Sequence, residues 1–135
     1  MCTNRYYKVI VSEYAKRHFI KLFRKKHKSA WEKTLVTINN MLTRIEIYSK
    51  TSKVNKIHCE EGCYIAKCEF TIEGTGISTH TSGNRIIVFV DESNMEIHIL
   101  LLYAKTDVYG DNETSWWQNE IKNNHKEIAK IFTGL

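Results

Sequence analysis

The fold is decided by residues 82–107, which read SGNRIIVFVDESNMEIHILLLYAKTD. Two apolar runs in this stretch flank the polar loop 91–96, a pattern that predicts an antiparallel β-hairpin. Direct pairing across the loop places Arg85 opposite Leu102 and brings Arg85 and Lys105 to the same end of the sheet. Two cations at one sheet end suggest an anionic ligand. The competing interpretation is that strands often end in a charged residue at the solvent boundary.

Hydrophobic periodicity on either side of the hairpin predicts the other elements. Residues 5–12 alternate as a short strand, and two amphipathic helices follow, one capped by Ser12 and one by a capping box at Ser29. Residues 64–72 alternate with a period of two, which predicts a half-buried strand. A last helix begins at Ser115, where a second capping box stands.

Two polar segments separate these elements. Residues 49–56 read as a connector rich in serine and lysine. Residues 73–84 contain three glycines and few bulky side chains, so we expect a mobile loop next to Arg85.

The order of elements predicts an α+β fold of one domain, residues 1–135. We expect a small antiparallel sheet with an N-terminal αα-hairpin and a C-terminal helix, in the order β-α-α-β-β-β-α. The first strand joins the sheet after the helical detour. No apolar run approaches the roughly 18 to 20 residues that cross a bilayer, and residues 1–5 lack the apolar centre of a secretory signal. We therefore expect a cytoplasmic protein with no membrane partner.

Metal and cofactor sites find little support in the sequence. His58, Cys59, Cys63 and Cys68 lie within eleven residues, but Cys68 falls on the apolar side of a predicted strand. The sequence also lacks the second closely spaced pair of Cys or His that a zinc site would need. The Gly74-Thr75-Gly76 turn lacks the Gly-Lys-Ser/Thr ending of a phosphate loop. We expect no metal and no small-molecule cofactor.

Charge is distributed unevenly along the chain. The net charge is +5, but residues 1–57 hold 14 of the 20 Lys and Arg and three of the 15 acids, a local net charge of +11. Such a surface suits a polyanion, and phosphate neutralisation gives nucleic acid sequence-independent affinity; a solvated basic helix face is the alternative. The candidate RNA-binding residues are Lys16, Arg17, Lys21, Arg24, Lys25, Lys26, Lys28 and, in the glycine-rich loop, His80.

The candidate catalytic set is Lys67, Arg85, Lys105 and Tyr109, with no obvious pair of carboxylates. This set suits RNA better than DNA, because the ribose 2′-hydroxyl is an internal nucleophile. An enzyme then needs to hold that hydroxyl in line and neutralise the developing charge. Arg85 would clamp the phosphate, and a Lys, Tyr or His would assist proton transfer.

Four motifs together resemble a known family. They are YIAK at 64–67, GTG at 74–76, SGNRII at 82–87 and LYAKTD at 102–107. In this order, over residues 5–107, the chain resembles the RelE/ParE superfamily of toxins and, among its members, the HigB-like ones.

The resemblance implies the toxin of a bacterial type II toxin-antitoxin pair. Such toxins are usually ribosome-dependent mRNA endonucleases that a cognate antitoxin neutralises. By the same resemblance, Arg85 matches the phosphate-binding arginine, Lys67 a basic residue on the preceding strand and Lys105 the basic position that ends the last strand, whereas Tyr109 matches loosely.

Two departures from the family pattern keep other functions open. Glu69 stands where relatives often carry a base, and residues 77–81 replace a shorter turn that bears lysine. ParE-like members share the fold, lack the basic set and inhibit DNA gyrase without catalysis. A non-catalytic RNA-binding module would need stacking aromatics on an exposed sheet face, and the aromatics here mostly follow core periodicities.

Overall fold

A five-stranded sheet organises the computed structural model, which describes residues 6–108, 112–132 and 134–135. The strand order across the sheet is β1-β5-β4-β3-β2. The strands are β1 (Lys8–Val11), β2 (Val54–Glu60), β3 (Cys63–Phe70), β4 (Asn84–Asp91) and β5 (Glu96–Ala104).

Helices cover both faces of this sheet. They are α1 (Glu13–Ala15), which continues through a π-helical segment (Lys16–Ile20) into α2 (Lys21–His27), then α3 (Ser29–Thr43), α4 (Ile45–Tyr48), α5 (Thr79–Ser82), α6 (Glu113–Asn124) and α7 (Lys126–Ala129), with a 3₁₀ turn at Lys105–Asp107. Across the described ranges, every helix is too short or too polar to cross a bilayer.

The sheet is mixed, which corrects the prediction of an antiparallel one. β1 joins the sheet after the helical detour, as predicted, but it pairs with β5 in parallel, with Val9 opposite Ile97. The other three pairings are antiparallel. Because the αα-hairpin carries the chain back across the sheet, β1 and β5 run in the same direction.

The predicted order of elements omitted β2. The segment 49–56 was expected to be a connector, but the chain enters a strand at Val54 and pairs with β3 up to Cys63. β2 is an edge strand, and four of its seven residues are exposed while one, Val54, is buried. Its side chains therefore show little hydrophobic alternation.

The central hairpin contains a β-bulge that changes its register. Val90 pairs with Ile97 as predicted, but Val88 pairs with Ile99 and Ile87 with Leu101, so Leu100 is the extra residue. Beyond the bulge every pair moves by one position, and Arg85 lies opposite Tyr103 rather than Leu102. The bulge thereby turns Tyr103 to the same face of the sheet as Arg85.

Two of the three predicted helix starts, after Ser12 and at Ser29, are confirmed, but the capping box at Ser29 is absent and the last helix begins earlier than predicted. Ser12 caps α1, since its side chain accepts a hydrogen bond from the Ala15 N–H at 3.0 Å. Ser29 forms no cap, because the preceding Lys28 has a positive φ of 50° and makes the turn. The last helix begins two residues before Ser115, with Asn112 as its N-cap.

The segment 73–84 includes a short helix where a loop was expected. Ser78 caps α5, and the Ser82 hydroxyl donates to the Phe70 carbonyl at 2.6 Å. Gly83 follows with a φ of 74°, a left-handed conformation that favours glycine at a helix C-terminus. These contacts fix the end of β4 next to the end of β3.

The two faces of the sheet have separate cores. One face, which we call the hairpin face after the N-terminal αα-hairpin that covers it, packs against α3 and α4. The buried side chains of this core include Trp31, Leu42, Ile86 and Leu102. The α6 face packs Ile65, Ile87 and Leu101 against side chains of the C-terminal helices that include Trp117 and Ile121. Charged and hydroxyl side chains lie within the α6 face at one end of the sheet.

Candidate functional site

The polar cluster comprises Lys67, Glu69, Arg85, Tyr103 and Glu113. Glu69 on β3, Arg85 on β4 and Tyr103 on β5 lie side by side, because the register pairs Glu69 with Arg85 and Arg85 with Tyr103. Lys67 lies two residues before Glu69 and therefore on the same face. Glu113, in the first turn of α6, closes the cluster from above.

Arg85 lies at the base of the cluster, with 6% of its surface exposed. Its Nη1 donates to the Asn84 carbonyl at 3.0 Å, and its Nη2 lies 3.9 Å from Glu69 Oε1. Burial of a lone guanidinium would be costly, so the Glu69 carboxylate compensates the charge. The acid that departs from the family pattern is thus the electrostatic partner of the predicted phosphate clamp.

Glu113 links the other half of the cluster. The Tyr103 hydroxyl donates to Glu113 Oε2 at 2.5 Å, and Lys67 Nζ lies 3.9 Å from the same oxygen. Burial, together with the hydrogen bond to Glu113, raises the pKa of Tyr103 well above its usual value. Tyr103 therefore keeps its proton at neutral pH and orients the Glu113 carboxylate.

Two predicted catalytic residues, Lys67 and Arg85, meet in this cluster. Lys105 lies at the same end of the sheet, where its N–H donates to the Gly83 carbonyl at 2.7 Å, but its exposed side chain follows the last strand pair on a 3₁₀ turn. Tyr109 lies outside the described residues. Its assignment stays a prediction.

Sequence reasoning missed Tyr103 and Glu113 and treated Glu69 as a defect. The alternation of β3 already placed Glu69 beside Lys67, so an ion pair with a neighbouring strand was open to prediction. Tyr103 reaches this face through the bulge at Leu100, and Glu113 lies before Ser115, where the last helix was predicted to begin. Neither position has a signal in the local sequence.

The predicted RNA-binding lysines and arginines all lie exposed on the N-terminal helical hairpin. Two of them form ion pairs, Lys16 with Glu13 at 3.4 Å and Arg24 with Glu32 at 3.0 Å. The other five, all exposed, are Arg17, Lys21, Lys25, Lys26 and Lys28. The side chain of His80 lies outside the described part of the structure.

A pocket of about 230 Å³ lies between these cations and the polar cluster. Its walls come from α2, the end of β5 and the start of α6, through Phe23, His27, Tyr103 and Trp116 among others. The rings of His27 and Phe23 stack with centroids 6.0 Å apart. Burial, aided by the charge of Lys26, lowers the pKa of His27, which favours a neutral ring at pH 7. The pocket joins the basic helix to the cluster through Tyr103.

Comparison with known proteins identifies the fold. No protein-family model matches the sequence, and no curated protein matches it significantly. Among solved structures, the chain is similar to the archaeal RelE-RelB complex from Pyrococcus horikoshii OT3, with a TM-score of 0.53 and 14% sequence identity. The match covers 76% of this chain and 98% of that one. At this identity the likeness shows a RelE-like fold.

Proposed function

We propose that this protein is the toxin of a type II toxin-antitoxin pair and acts as a ribosome-dependent mRNA endonuclease. The RelE-like fold supports the assignment, and the solved relative is a complex of RelE with RelB. By analogy, a cognate antitoxin protein is the partner of this chain. Its other partners are the ribosome and mRNA, in the cytoplasm. The HigB-like subtype belongs to the same proposal.

The observation that carries the nuclease proposal is the polar cluster. It places two cations and an oriented carboxylate on one face of a rigid sheet. The ribose 2′ oxygen attacks the adjacent phosphorus and the bond from phosphorus to the 5′ oxygen breaks, which gives a 2′,3′-cyclic phosphate and a 5′ oxygen that takes up a proton from water. Glu113 accepts the 2′-hydroxyl proton, while Lys67 and Arg85 offset the charge that develops on the phosphoryl oxygens. Lys105 and Tyr109 remain proposed members of this set.

A second candidate function is the non-catalytic inhibition of DNA gyrase, as in ParE-like toxins. One observation favours it: Arg85 faces Glu69 and Lys67 faces Glu113, so acids balance both cations. Such a network can serve stability alone. The two candidates predict different consequences when Lys67 is replaced.

The decisive experiment compares two lysines on neighbouring strands. Lys67 faces the cluster, whereas Lys56 on β2 faces the hairpin side, with its Nζ 4.4 Å from the Tyr64 ring centroid. Lys67→Met and Lys56→Met are induced in a bacterium, and message ends are mapped by primer extension. For a nuclease, Lys67→Met lowers cleavage by about 10²- to 10³-fold, the typical effect of losing one group that stabilises transition-state charge. Lys56→Met cleaves as the wild type does.

Three further measurements complete the test. Thermal unfolding of both variants shows whether the fold is retained, and plasmid supercoiling reports on gyrase. Intact messages with altered supercoiling, in wild type and Lys67→Met alike, would replace the nuclease proposal by gyrase inhibition. Purified protein is then added to a message alone and to the same message under translation. Equal cleavage in both would contradict ribosome dependence.

A further inference from the structure

We propose that the pocket beside the polar cluster binds one unstacked base of RNA. The inference rests on the proposed function, because it takes RNA as the substrate, and it adds a subsite that reads a base next to the cleaved phosphate. The pocket is smaller than the roughly 300 to 1,000 Å³ of sites for drug-sized ligands. Its size suits a single planar ring system.

Aromatic rings form two walls of the pocket. On one side His27 stacks on Phe23. On the other side Trp116 meets the Tyr103 ring edge-to-face, with centroids 4.8 Å apart. Stacking on aromatic side chains is a common way for proteins to hold single-stranded bases, because every base has a π-face.

The floor of the pocket offers hydrogen-bonding groups for the edge of a base. The half-buried Asn84 amide has a donor and an acceptor, and within the described part of the chain its side chain has no hydrogen-bond partner. The edge of β5 adds backbone groups, because β1 pairs with β5 only as far as Ile99. The bond from Lys105 N–H to the Gly83 carbonyl fixes the ladder, so Leu102 and Ala104 turn their N–H and C=O groups away from β4.

Charge at the mouth of the pocket favours a nucleotide over a neutral ring. Lys26 lies at the mouth, and α2 carries further exposed cations on the same helix, such as Lys25. Tyr103 lines the pocket, and its hydroxyl contacts Glu113 in the cluster. A base held here therefore brings the neighbouring phosphodiester toward Lys67 and Glu113.

The test measures nucleotide binding without cleavage. The full chain is titrated with each of the four ribonucleoside 5′-monophosphates and with ribose 5-phosphate, and tryptophan fluorescence is recorded. Trp31 and Trp117 are buried, so Trp116 supplies the signal, and Trp116→Phe identifies it. At least one monophosphate should quench the fluorescence with saturation at millimolar concentration or below, whereas ribose 5-phosphate should not.

Two variants assign the binding to this pocket. Asn84→Ala should weaken the preferred monophosphate about tenfold, the size expected when one hydrogen bond is lost. Asn39→Ala, an exposed asparagine on α3, is the matched control and should bind as the wild type does. Lys26→Ala should lower the affinity for the monophosphate but leave the affinity for the corresponding nucleoside unchanged.

The outcomes separate this inference from the proposed function. The base pocket is overturned if none of the four monophosphates binds at about 10 millimolar, a concentration above the millimolar range in which binding should saturate. Equal binding of ribose 5-phosphate, or an unchanged Asn84→Ala variant, does the same. If the protein cuts messages and needs Lys67 to do so, but binds no monophosphate, then the nuclease proposal stands and the base pocket is rejected. Saturable monophosphate binding by a protein that cuts no message supports the pocket and removes the nuclease.

Discussion

The two faces of the sheet are built from the same strands but have different contents. On the hairpin face, Ile86 and its neighbours form an apolar core against α3 and α4. On the α6 face, one residue away along β4, Arg85 lies buried beside Glu69 and Tyr103, next to a second apolar core. The comparison shows where a small fold accommodates charge. Polar groups are placed at one end of one face, and carboxylates compensate their charges.

The largest expected effect tests the apolar part of both faces. Ile86 and Ile87 are adjacent, fully buried and on opposite faces. Replacing Ile86 by Ala should lower the free energy of unfolding by about 2–5 kcal/mol, and replacing Ile87 should cost less within that range, because a terminal helix pair can move to fill the cavity. Urea unfolding monitored by circular dichroism measures both. A larger loss for Ile87→Ala would mean that the α6 face is the more rigid one.

An intermediate effect tests the charged part of the α6 face. Arg85→Met leaves the Glu69 carboxylate without the guanidinium beside it, and we expect a loss of about 1–3 kcal/mol in the free energy of unfolding. The double variant Arg85→Met, Glu69→Gln removes that charge and should recover part of the loss. The same urea titrations measure it. A double variant no more stable than Arg85→Met would show that Glu69 does not compensate Arg85.

The smallest effect is a dependence of stability on pH at the bulge. His125 Nε2 lies 3.0 Å from the Leu100 carbonyl, and the ring also faces Tyr14 and Glu120. Burial lowers the pKa of His125 below the usual value of 6.5, although the hydrogen bond to Leu100 and the charge of Glu120 act to raise it. The unfolded chain therefore takes up this proton first as the pH falls. The associated stability is complete above about pH 6.5 and declines below it.

His125→Gln removes this titration while keeping a group that can donate to Leu100. Unfolding midpoints at pH 7.5 and pH 5.5, both taken as about one unit from the His reference pKa, should differ more in the wild type than in the variant. Equal differences would place the titration elsewhere.

Much of the fold was predictable because it follows from local periodicity. The alternation in β3 separated Ala66 and Cys68 from Lys67 and Glu69, and the structure places these pairs on opposite faces. The paired N-terminal helices also follow from the spacing of their apolar residues. β2 escaped prediction because an edge strand needs no apolar face. The parallel pairing of β1 depends on chain direction after the helices, which periodicity does not encode.

The candidate site was predictable in part for the same reason. Lys67 and Arg85 were found from the strands that carry them, and the structure brings them into one cluster. Tyr103 and Glu113 were missed because the position of each in the cluster depends on a structural feature elsewhere in the chain. For Tyr103 this feature is the extra residue at Leu100, and for Glu113 it is the packing of α6 against the sheet.

The sequence by itself determined four of the five strands, the paired N-terminal helices and the C-terminal helix, and which residues of those strands are polar, because side-chain period and backbone geometry are local. It also determined the basic N-terminal half, since charge is a property of composition. Only the tertiary structure decided that the cations meet carboxylates and that Tyr103 joins them. A bulge of one residue reverses the face of every later side chain, and its position is settled by packing against both cores.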